Sequence, residues 1–82
     1  MKILALHPDV VDYLKQHQLV KKFEKQKKLF EANPFYPSLQ TELLEPANLR
    51  IWSFRLDKKY RAIFIFRNID AVEVIDVNNH YR

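Results

Sequence analysis

Apolar residues recur at helical intervals in the first half of this chain and alternate in the second. Leu19, Val20, Phe23 and Phe30 are spaced to line one side of a helix over residues 19–32, with Lys21, Lys22, Lys25 and Lys28 on its outer surface. Ahead of it, Pro8-Asp9 opens a shorter helix, since proline is tolerated in a first turn. Val10, Val11 and Leu14 face inward there, and a break follows near His17-Gln18. Residues 2–6 are a short apolar run of strand character. Asn33-Pro34 stops the second helix, and the prolines from Pro37-Ser38 to Pro46 predict an irregular connector.

Residues 49–56, 60–66 and 71–77 are rich in β-branched and aromatic side chains. Asp57-Lys58-Lys59 and Asn68-Ile69-Asp70 separate them and are short enough for hairpin turns. A three-stranded antiparallel meander is expected, with the first strand added at an edge and two helices covering one face. The predicted fold is therefore α+β: two N-terminal helices on an antiparallel sheet of three to four strands, in one domain spanning residues 1–82. In the middle strand Tyr60, Ala62, Phe64 and Phe66 share one face, and Arg61, Ile63, Ile65 and Arg67 the other. In the strand before it Trp52, Phe54 and Leu56 oppose Ile51, Ser53 and Arg55. Arg55 and Arg61 flank one hairpin, and the register decides whether they share a face.

Composition narrows the possibilities. Eighty-two residues, 48% hydrophobic and 13% aromatic, suffice for one small core. No cysteine is present, which excludes disulfides and thiolate metal sites. Glycine is also absent, so Gly-rich phosphate loops are excluded and Asn, Asp and Pro are expected to serve the tight turns. No apolar run approaches the roughly 20 residues needed to cross a bilayer, and Met1-Lys2-Ile3-Leu4-Ala5-Leu6 meets His7-Pro8-Asp9 too early for a secretory core. A soluble, cytoplasmic protein without membrane contact is the expectation. The net charge of +4 favours a polyanionic or acidic partner.

Candidate chemistry gathers at the chain end, where Asn78-Asn79-His80-Tyr81-Arg82 follows the last strand. These residues have no part in a core, and histidine suits proton transfer near neutral pH. Four motifs carry a resemblance: the Pro37-Ser38-Leu39 connector, Glu42 ahead of Asn48-Leu49 and Trp52-Ser53-Phe54-Arg55, the Tyr60-Arg61-Ala62-Ile63-Phe64 strand, and terminal His80-Tyr81. In that order they resemble the RelE/ParE superfamily of bacterial toxin-antitoxin toxins, and most of all its YoeB-type messenger-RNA interferases.

The resemblance implies a ribonuclease that enters the ribosomal A site and cuts messenger RNA with neither metal nor cofactor. By position, Glu42 falls on the family's catalytic glutamate, Arg61 on its strand arginine, and His80 and Tyr81 on its terminal pair. Glu42 would take the proton of the ribose 2'-hydroxyl and His80 would protonate the departing 5'-oxygen. Arg61 would stabilise the phosphorane, and Tyr81 would orient the phosphate or stack on a base. Glu45 stands near enough in sequence to replace Glu42, because Arg50-Ile51 occupy the place where many relatives have glycine. Arg50, Arg55, Lys58 and Arg82 are the expected substrate-binding cations. The implied partners are a cognate antitoxin, the ribosome and messenger RNA. The competing reading is a non-enzymatic ParE-like inhibitor of DNA gyrase or an inactive antitoxin binder. Each residue also has an ordinary reading: strand-edge arginines and the Lys21 to Lys28 face as solvated charge, His80-Tyr81 as a polar terminus, and Trp52, Phe54, Phe64 and Phe66 as core.

Overall fold

The computed structural model describes residues 1–79. His7 caps the first helix, α1 (Pro8–Gln16), its Nδ1 accepting the Asp9 amide at 3.0 Å. The second, α2 (Val20–Ala32), ends at Asn33 as expected. Its buried stripe runs Leu19, Phe23, Gln26, Phe30, so Val20, one position and 100° further round, is 42% exposed rather than inward. Val11 is likewise only half-buried beside buried Val10 and Leu14.

The strands are β1 (Lys2–Ile3), β2 (Glu42–Leu43), β3 (Trp52–Arg55), β4 (Arg61–Asn68) and β5 (Ala71–Asn78). They form one sheet in the order β1-β5-β4-β3-β2. The sheet thus has five strands, one more than the upper expectation, and it is mixed. β1 runs parallel to β5, whereas all other neighbours are antiparallel. The extra strand is β2, two residues inside the expected irregular connector, which pair Glu42 with Ser53 and Leu43 with Trp52. Single 3-10 turns, Pro37–Leu39 and Ala47–Leu49, occupy the rest of that connector. The second of these displaces the start of β3 from residue 49 to Trp52.

Left-handed backbone falls on Gln18, Gln40 and Arg50, and not on the Asn, Asp or Pro expected in its place. Each follows the last turn of a helix or 3-10 segment, where reversal of the chain sets the backbone whatever the side chain. At the β1 edge, the Ile3 amide donates to the Glu31 carboxylate of α2 at 2.9 Å, which satisfies a group the sheet leaves unpaired.

The helices cover one face of the sheet. Phe30 meets Phe54 at 5.0 Å and Phe64 at 5.1 Å between ring centroids, and Phe23 lies 6.4 Å from Phe54. Each buried phenylalanine contributes about 1.5–3 kcal/mol. On β5 the core residues are Val72, Val74 and Val77, an interval of two and then of three. The irregularity is a bulge at Ile75, because Val74 pairs with Phe64 and Asp76 with Ile63. No helix among the described residues is long and apolar enough to cross a membrane.

Candidate functional site

The register settles the question that alternation left open. Arg55 pairs directly with Arg61, so both arginines stand on the face away from the helices, with Ser53 and Glu42 on the same side. Two like charges placed opposite each other disfavour the sheet, and the arrangement is compensated by what surrounds them. Beyond β4, Asn78 pairs with Arg61 from the other side. Counted from Val74, it stands on this face because the bulge at Ile75 takes up one residue of the alternation of β5.

Arg61 is 5% exposed, which removes the solvated-charge reading for this residue. Its Nε donates to Ser53 Oγ at 2.9 Å, and its Nη2 donates to the Gln40 and Ser53 carbonyls. A left-handed Gln40 turns that carbonyl toward the guanidinium. Burial lowers the Arg61 pKa from its ordinary value. The Glu42 carboxylate acts against that shift and the Arg55 charge adds to it. Arginine remains protonated at neutral pH even so, and the result is a fixed cation whose described hydrogen bonds go to neutral acceptors.

Arg61 forms one wall of a pocket of about 340 Å³ lined also by Gln40, Glu42, Arg55, Asp57, Lys58 and Lys59. Four cations face two carboxylates there. Asp57 is already engaged: it accepts Lys22 Nζ at 2.7 Å and the amides of Lys59 and Tyr60 at 2.8 and 2.7 Å. Burial alone would raise its carboxyl, but these hydrogen bonds and the Lys22 charge prevail and hold it below the ordinary value. Such a pocket can bind an oxyanion through convergent guanidinium and ammonium donors, with one carboxylate, Glu42, placed to accept a proton.

Of the residues expected to act, the fold brings Glu42, Arg55, Lys58 and Arg61 together. Glu45 is exposed and does not line the pocket. Arg50 lies elsewhere, with its guanidinium 6.0 Å from the centroid of the Trp52 ring. His80, Tyr81 and Arg82 lie outside the described residues. Sequence reasoning did not identify Gln40, Ser53, Asp57 or Lys59. Ser53 was legible, since strand alternation already placed it with Arg55. Gln40 contributes a backbone carbonyl, which every residue possesses, so its side chain gave no signal.

No family model matches the chain, and no curated protein matches it in sequence. In fold it is similar to a YoeB/ParE toxin from Agrobacterium tumefaciens, at 21% identity and a TM-score of 0.71, over 99% of this chain and 100% of that one. It is also similar to a chain of the YoeB-YefM complex from Staphylococcus aureus, at 18% identity and a TM-score of 0.70, over 99% and 98%. A third similar structure, the YoeB dimer from Staphylococcus aureus, gives 17% identity and a TM-score of 0.65 over 98% and 94%. The whole described architecture is thus the YoeB-type RelE/ParE fold.

Proposed function

From this fold we propose that the chain is the toxin of a toxin-antitoxin pair, a ribosome-dependent endoribonuclease that cuts messenger RNA and blocks translation in the cytoplasm. The observation that carries the reading is the convergence of Glu42, Arg55 and the buried Arg61 on one pocket. β5, which leads to His80-Tyr81, runs its last paired residue opposite Arg61. A gyrase inhibitor has no use for a carboxylate beside a buried guanidinium. Phosphodiester cleavage uses both.

In the proposed reaction the 2'-oxygen of the substrate attacks the adjacent phosphorus while Glu42 takes its proton. Arg61 and Arg55 hold the phosphoryl oxygens as negative charge builds on the phosphorane. The bond from phosphorus to the 5'-oxygen then breaks, His80 gives that oxygen a proton, and Tyr81 orients the phosphate. The products are a 2',3'-cyclic phosphate and a 5'-hydroxyl. The nucleophile belongs to the substrate, so the balance closes without a metal or cofactor. Two of the similar structures are YoeB-YefM complexes. By the same reading an acidic antitoxin segment neutralises this chain, and the ribosome presents its messenger.

Primer extension on messenger in a ribosome-containing translation reaction tests the reading, with wild type, Glu42→Gln, Arg61→Lys and His80→Ala compared. Discrete cuts that require ribosomes are expected from the wild type. Glu42→Gln should slow cleavage about 10²–10⁴-fold, and Arg61→Lys, which keeps the charge and loses the fork, about 10²–10³-fold. Intact messenger and continued translation with the wild type would overturn the nuclease and point to gyrase inhibition or a silent antitoxin binder.

A further inference from the structure

Around the end of the β3–β4 hairpin from the Arg61 pocket lies a second one, of about 330 Å³, lined by Lys22, Lys25, Gln26, Ser38, Leu56 and Asp57. Asp57 is a wall of both. We propose that this second pocket is a nucleotide subsite, taking the next unit of a single-stranded RNA whose scissile phosphate lies at Arg61. The inference rests on the phosphodiester-binding reading of the Arg61 pocket and extends it to a substrate of several nucleotides.

The distribution of charge is the first support. The two pockets together hold six cations and two carboxylates, leaving four positive charges, which equals the net charge of the entire chain. The remaining charges sum to zero, so this path carries a charge excess equal to that of the whole chain. Lys58 and Lys59, on the hairpin turn next to the shared Asp57, supply cations to the Arg61 pocket.

The chemistry of the second pocket is the other support. Lys25 makes no ion pair among the described residues, and Lys22 commits one of its three N–H donors to Asp57. Asp57 is occupied by Lys22 and two backbone amides, which reduces its repulsion of a phosphate. Leu56 gives an apolar wall for a base or ribose. Ser38 offers a hydroxyl, and the Gln26 amide, which donates to the Arg55 carbonyl at 2.8 Å, accepts no hydrogen bond at its oxygen among the described residues. Cations, a small apolar wall and amide and hydroxyl groups suit a nucleotide. The groove over Val20 and Leu29 shares Lys25 with this pocket but has neither an amide nor a hydroxyl in its lining.

Fluorescence anisotropy with 2'-O-methyl oligonucleotides, which bind without being cut, reads the subsite directly. Wild type should bind a tetranucleotide at least about fivefold more tightly than a dinucleotide, since each stacked or phosphate-bonded unit contributes on the order of 1 kcal/mol. Lys25→Ala should abolish most of that gain and flatten the log-log salt dependence by about 0.7. Lys28→Ala, on the same helix but outside the pocket, should change neither. Equal losses from Lys25→Ala and Lys28→Ala, or no gain with length, would overturn the subsite. Arg55→Ala separates the two levels. If it leaves dinucleotide affinity unchanged, the phosphate reading of the Arg61 pocket fails. If it weakens the dinucleotide while Lys25→Ala spares the tetranucleotide, only the second subsite is lost.

Discussion

At the scale of single residues, the site depends on how a guanidinium is kept both buried and charged. Arg61 makes its described hydrogen bonds to Ser53 Oγ and to the Ser53 and Gln40 carbonyls, which satisfy the buried guanidinium without taking up its charge. Ser53→Ala tests this support. Removing the hydroxyl leaves Nε without its acceptor in a buried setting, and chemical denaturation should report a loss of about 1–3 kcal/mol. A change below about 0.3 kcal/mol would show that the hydroxyl does not hold the arginine. The site was legible at this scale to the extent that chemistry follows side-chain type. Glu42, Arg55, Lys58 and Arg61, singled out in the sequence, line one pocket, whereas Gln40 enters it through its backbone and gave no sign.

At the scale of elements, periodicity identified both helices, the β3-β4-β5 meander and the edge position of β1. It failed where pairing or chain reversal decides the conformation. Two residues of β2 carry too short a pattern to show alternation, and they are strand because β3 offers them an edge. Gln26 sits in the buried stripe of α2 because the Arg55 carbonyl needs a donor there, a requirement set by tertiary contact. Left-handed Gln18 between the helices is the same kind of case. Its conformation costs about 1–2 kcal/mol for a residue with a side-chain Cβ. Gln18→Gly should raise stability by up to about 1 kcal/mol, seen in a thermal melt as a rise of about 4–8 °C. A fall in melting temperature would mean that the glutamine side chain makes a contribution larger than the strain.

At the scale of the molecule, the helical layer and the site-bearing hairpin are joined by the Lys22–Asp57 ion pair, 2.7 Å long and partly exposed. The folded state holds the Asp57 carboxyl below its ordinary value of 3.8. Its stabilisation is therefore complete above that value and is lost as pH falls through the lower folded value. Asp57→Asn should reduce stability at neutral pH by about 0.5–1 kcal/mol and make the acid limb of the stability curve shallower, as followed by urea titrations from neutral pH downward. An unchanged acid limb would assign the pH dependence to other carboxylates.

The bulge on β5 gives the chain a residue that the pairing of the strand can do without. Ile75 is largely solvent-facing, and its side chain can be exchanged at little cost. Delete the residue and the ladder closes up: Val74 and Asp76 become neighbours, still opposite Phe64 and Ile63, while Val77 stays in the core and Asn78 on the face of Arg61. Substitution and deletion at this one position thus both leave the end of the last strand facing as it does now.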